Sequence, residues 1–160
     1  MTSAELSNLF RISHYAITVN LEGFTHEESL EQPLPGGNCL NWVLGHIVAS
    51  RNLILKQLGE EPALHPAVAE RYKRGSAPIA APRDAAHLEL LFKALQDSQE
   101  RVLAGLARMT EAELAQPLEN PITKNQTLGE ALSFGHFHES YHAGQVALLR
   151  RLAGKQGQIK

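Results

Sequence analysis

Apolar residues recur at steps of three and four over four stretches of the chain, separated by segments rich in Gly and Pro. The first stretch, Thr2–Leu21, puts Leu6, Leu9, Phe10, Ser13 and Ile17 on one helical stripe. Thr2 or Ser3 is its candidate cap, and Glu5 lies in the first turn, where the helix dipole favours negative charge. From Gly23 to Asn38 the pattern breaks. Thr25 with Glu28 three residues on predicts a capping box opening a short turn over Glu27–Leu30, and Pro33, Pro35, Gly36 and Gly37 then enforce a loop. Asn38 is predicted to cap a second helix that runs to Gly59, a natural stop.

Residues Glu60–Pro82 hold four prolines and little periodicity, with room for a short helical piece over Ala67–Lys73. A connection of that length crosses a bundle or shapes a site. Asp84 is predicted to cap a third helix reaching Met109, with Leu88, Leu91, Leu95, Val102 and Leu106 inward and Lys93, Asp97, Glu100 and Arg101 in water. A loop over Glu119–Gln126 leads to Thr127, which forms a further capping box with Glu130. The fourth helix then runs to Leu152, before Gly154, and the polar tail Lys155–Lys160 is predicted to be disordered. The segment T-E-A-E-L-A-Q-P-L at Thr110–Leu118 echoes T-H-E-E-S-L-E-Q-P-L at Thr25–Leu34. Both copies follow a long helix and precede one carrying Gly-His, which points to two related helix pairs. The expectation is all-α: a single four-helix bundle over residues 1–154, with residues 155–160 as a tail.

Composition narrows the function more than the fold. With 43% hydrophobic and 20% charged residues, the chain is an ordinary globular one. A formal charge of −2 and a single short basic cluster, Arg71, Lys73 and Arg74, give no reason to expect nucleic acid. The lone cysteine, Cys39, cannot form an intramolecular disulfide and reads as a packing residue. No apolar run approaches the roughly 18–20 residues that span a bilayer, and the N-terminus lacks a secretory pattern, so a soluble cytoplasmic protein is expected.

The chemistry concentrates in histidines. Three of the eight fall in G-H-F-H-E-S-Y-H-A-G-Q, Gly135–Gln145. His138 and His142, four apart, share one helical face. On a wheel centred on His138, Ala131, Phe134, Gly135, His142, Gln145, Leu149 and Leu152 lie within about 60°, whereas His136 falls at roughly 160°, facing outward. On the second helix, Cys39, Trp42, Val43, Ala49, Ser50, Leu53 and Gln57 lie within about 60° of His46, which places that histidine mid-stripe. His14 reads as a half-buried histidine rather than a ligand. Polar groups on apolar stripes cost free energy unless they share a purpose. Facing helices in a bundle are roughly 8–10 Å apart, so His46, His138 and His142 can converge on one divalent metal. Three imidazoles suit zinc, nickel, copper or iron, with zinc and nickel foremost, and leave an open position for water or substrate. Gln145, one turn below His142, is a candidate contact behind the ligands or to the substrate. Glu139, about 100° round from His138, either bonds a ligand or is solvated, and solvation is the expectation.

The motifs N-x-x-x-W-x-x-x-H (Asn38, Trp42, His46) and H-x-x-x-H-x-G-Q (His138, His142, Gly144, Gln145) resemble those of the DinB/YfiT-like family, and the resemblance covers nearly the whole chain. It implies an up-down-down-up four-helix bundle, usually a homodimer, with His46, His138 and His142 as metal ligands. It further implies a metal-dependent enzyme transferring a low-molecular-weight thiol to a small molecule, or hydrolysing one. The alternative is a non-catalytic dimeric metal-binding protein of the stress response.

Overall fold

The computed structural model describes residues 1–34, 36–118 and 126–159. Among them the chain forms helices α1 (Ser3–Leu21), α2 (His26–Ser29), α3 (Leu40–Gln57), α4 (Pro66–Ala69), α5 (Leu88–Arg108), α6 (Glu111–Leu114) and α7 (Leu128–Leu152). There is no strand among the described residues, only an isolated bridge between Pro117 and Thr127. No helix is long and apolar enough to cross a membrane. The loop expected over Glu119–Gln126 lies, except for Gln126, outside the described residues, as do Pro35 and Lys160.

Four helices begin on reciprocal capping boxes: Thr2 with Glu5, Thr25 with Glu28, Thr110 with Glu113, and Thr127 with Glu130. In each, the threonine hydroxyl accepts from the glutamate N–H while the carboxylate accepts from the threonine N–H, satisfying two donors that a helix start leaves open. The sequence echo is therefore structural: α1–α2 and α5–α6 are each a long helix followed by a capped four-residue turn.

Two helix starts differ from expectation. Cys39, not Asn38, precedes α3, with no side-chain cap. Burying Cys39 and Leu40 outweighs a capping bond worth about 1 kcal/mol. Asp84 belongs to a 3₁₀ turn over Pro82–Asp84, and α5 starts only at Leu88. There the Leu88 N–H donates to Nδ1 of His26, 3.2 Å away, so a residue 62 positions earlier does the capping. At its other end α3 stops as expected, with Gly59 at φ 73° and the Glu60 N–H bonded back to Leu55. The tail is tied at its start: Arg150 Nε donates to the Gln156 carbonyl, and Lys155 Nζ to that of Gly23.

Each long helix packs mainly on two others: α1 on α7 and α5, and α3 on α5 and α7. Helices joined through α2 or α6 are therefore not principal partners, whereas α3 and α5, joined by the proline-rich connection, are. The core falls into two apolar clusters. One holds Ile17, Leu44, Ile47, Leu91, Leu95 and Val146; the other holds Leu6, Phe10, Leu55, Val102, Leu106 and Leu132. Between them, on all four long helices, lies a polar layer: Ser13, Arg51, Ser98, Gln99 and Glu139, all buried.

That layer shifts the inward faces away from the expected wheels. On α3 Cys39, Trp42, Val43 and His46 are buried as expected, but further on the buried side runs through Ile47, Arg51 and Leu55, leaving Leu53 67% exposed and Gln57 in water. The buried side of α7 runs through Leu132, Glu139, Ala143, Val146 and Arg150. The two inward histidines sit at its edge, and Phe134 is exposed. His136, expected outward, is half-buried with its ring edge-on to Phe10.

Candidate metal centre

Three helical turns bring the histidines together. α3 presents His46 and α7 presents His138 and His142, with His46 and His142 buried and His138 part-exposed. Nε2 of His138 lies 3.2 Å from Nε2 of His46 and 3.2 Å from Nε2 of His142. One ligand nitrogen from each residue falls within 4.8 Å of the others. Two imidazole nitrogens held tetrahedrally at about 2.0–2.1 Å from one ion would be about 3.3 Å apart, so the two spacings to His138 suit a metal.

Neighbouring groups fix which nitrogens face inward. Nδ1 of His46 is 2.7 Å from the Tyr72 carbonyl oxygen, which can only accept, so that nitrogen carries the proton and Nε2 presents its lone pair. Nδ1 of His142 likewise donates to Oε1 of Gln145 at 2.7 Å. Two inward lone pairs thus face one further nitrogen, and in the neutral cluster at most one proton lies among the three. A cation at their centre satisfies all of them, and this set could hold a metal ion.

The connection after α3 builds one wall. Tyr72 is fully buried, its hydroxyl donating to Oδ1 of Asn41 at 2.9 Å and accepting from the Ala86 N–H at 2.7 Å. Its ring lies against Gly45, where a Cβ would stand 2.2 Å from Cδ1. Only glycine lets the Tyr72 backbone come close enough to reach His46. Trp42 stacks on the His46 ring at 4.9 Å between centroids and donates through Nε1 to Oγ of Ser76 at 3.0 Å. Tyr141, exposed, stands edge-on to His142.

Burial, and then the neighbouring His142 and His46 rings, push His138 down to about 4, against the pull of Glu139. Burial also lowers His142, opposed by its bond to Gln145. Both are therefore neutral near pH 7, the state that binds metal.

Glu139 is not solvated, contrary to expectation, nor is it bonded to the histidines: it is 2% exposed and paired to Arg51. The guanidinium meets both carboxylate oxygens, at 2.6 and 2.8 Å, and its remaining N–H groups reach the Leu95 carbonyl, Ser98 Oγ and Gln99 Oε1. Ser13 donates to the same carboxylate at 2.6 Å. Burial would raise the Glu139 carboxyl, but Arg51 and these bonds outweigh it and hold it below the usual range. The layer thus ties α1, α3 and α5 to the residue next to His138. Its one sequence signal was Ser13 in an otherwise apolar stripe. Nothing in the spacing marked Tyr72. His14 stays apart from the site, bonded to Gln96 Oε1 at 3.1 Å.

The profile of the DinB superfamily matches residues 12–146. Among solved structures, a crystal structure described as a conserved protein from Enterococcus faecalis is similar, with 21% identity over 97% of this chain and 99% of that one and a TM-score of 0.75. At that identity the likeness concerns the fold alone. No curated protein matches the chain.

Proposed function

The chain belongs to the DinB superfamily, and from that premise we propose that His46, His138 and His142 hold a divalent transition metal, zinc or nickel, in an enzyme acting on a small molecule. The reaction is transfer of a thiol to that molecule, or its hydrolysis. The observation behind this reading is the pair of inward lone pairs, fixed by Tyr72 and Gln145, meeting the third nitrogen at 3.2 Å. Three neutral nitrogen donors with an open side are the donor set of catalytic rather than closed sites. When bound, such an ion would supply Lewis acidity, lowering the pKa of a thiol or water brought to the open side.

The chain's own residues prepare that side. The Tyr72 carbonyl and Gln145 hold two ring orientations, Trp42 covers one face of His46, and the low proton affinity of His138 keeps it available as a donor. The wider reading is an up-down-down-up bundle, a low-molecular-weight thiol as cosubstrate, and a cytoplasmic homodimer. Phe137, Tyr141, Leu148 and Leu152, exposed along α7, support the dimer.

The test is turnover. Metal-loaded protein is incubated with a low-molecular-weight thiol and a panel of electrophiles, and with ester and amide substrates in water. Thiol-dependent or hydrolytic consumption that His142→Ala removes supports the reading. Loaded protein with no turnover in either assay contradicts it.

A further inference from the structure

Beside the histidines the chain makes a tight turn whose role the site description leaves open. The Ser76 N–H bonds to the Lys73 carbonyl at 3.1 Å and Gly75 has φ 82°, the positive value that the third position of a type II turn requires. Arg74 is the second residue of that turn. The turn is pinned to the site on both sides: before it, the Tyr72 carbonyl accepts from His46, and after it, Ser76 Oγ accepts from Trp42, the residue stacked on His46. Arg74 therefore stands at the rim, two residues from each anchor.

The short basic cluster of the sequence divides cleanly in the structure. Arg71 is engaged through all three guanidinium nitrogens, donating to the carbonyls of Asp84, Ala77 and Pro78. Lys73 pairs with Glu70. Arg74 is exposed and has no hydrogen-bond or ion-pair partner among the described residues. Of the three histidines beside this turn, His138 is the most open. A guanidinium without a protein partner, carried on a turn anchored to His46 and Trp42, offers a planar fork for a carboxylate or phosphate.

Building on the metal reading above, the geometry points to Arg74 as the residue that selects the ligand: the small molecule at the open side carries an oxyanion, a carboxylate or phosphate, which Arg74 grips at the rim. Thiols or substrates lacking an anionic group bind without that contact.

The test uses the full chain loaded with cobalt(II), whose absorption reports both the metal and a thiolate bound to it. The probes are 3-mercaptopropionate and 2-mercaptoethanol, compared at equal thiolate concentration. The wild type is expected to bind 3-mercaptopropionate about five- to tenfold more tightly, a preference that shrinks as salt rises. Arg74→Gln erases the preference with cobalt content unchanged, and Arg74→Lys keeps part of it. Equal binding of the two probes by the wild type, or a preference that survives in Arg74→Gln, overturns this inference and leaves the metal site standing. Failure of cobalt to bind at all overturns both.

Discussion

Arg51 and Glu139, 88 residues apart in the chain, meet in a two-point ion pair with their side chains 0% and 3% exposed. All five guanidinium N–H groups are engaged, and the pair lies one residue from His138. A buried pair is expensive to break from one side, because the survivor is left charged and alone. Glu139→Ala is therefore expected to destabilise the protein by about 3–5 kcal/mol in chemical denaturation. Arg51→Met combined with Glu139→Leu is expected to recover much of that loss. A single substitution costing under ~1 kcal/mol would show that the pair contributes little.

Gly45 makes a sharper prediction, because it couples fold to site. A Cβ at this position would collide with the Tyr72 ring, which Asn41 and Ala86 hold in place. Gly45→Ala should cost about 1–3 kcal/mol by overpacking and push the Tyr72 carbonyl away from His46. Metal titration of the variant should show weaker binding, alongside a lower denaturation midpoint. Unchanged metal affinity would mean that the Tyr72 carbonyl does not orient His46.

Gln145 accepts from Nδ1 of His142, the ring nitrogen turned away from the other two histidines. Gln145→Ala removes that acceptor, and calorimetric titration should find metal binding weakened by about 10–100-fold with little change in fold. Gln145→Glu, which keeps an acceptor oxygen, should bind metal better than Gln145→Ala.

The pH dependence has a definite sign. An unfolded histidine titrates near ~6.5, whereas burial and its histidine neighbours hold His138 at about 4 and burial lowers His142 in the same direction. The fold favours the neutral rings, so this stabilisation is fully present above ~6.5 and is lost as pH falls towards about 4. The melting temperature of metal-free protein should drop across that window, and His138→Asn should flatten part of the drop. A melting temperature that rises on acidification from pH 6.5 would refute the assignment.

The His138–His142 pair was legible in the sequence because its spacing is one helical turn, and His46, 92 positions from His138, was marked by its place in an apolar run. The capping boxes were legible for the same reason, each being a three-residue pattern with its own hydrogen bonds. What sequence reading missed depends on distant partners. Glu139 looks solvated until Arg51 stands opposite it, and the helix wheels were centred on histidines that lie at the edge of the buried face rather than its middle. The start of α5 is set by His26, and no feature of the sequence near Asp84 announces a cap from another segment. Tyr72 sits in an aperiodic connection and is buried only because Gly45 gives it room.

The most direct test of the central claim is metal content by inductively coupled plasma mass spectrometry, on untagged protein equilibrated with zinc or nickel and then dialysed. The wild type should retain about one ion per chain, and His46→Ala, His138→Ala and His142→Ala should each retain almost none while remaining helical. Wild-type protein holding less than ~0.2 ion per chain, or a His46→Ala variant that keeps its full complement, would contradict the account.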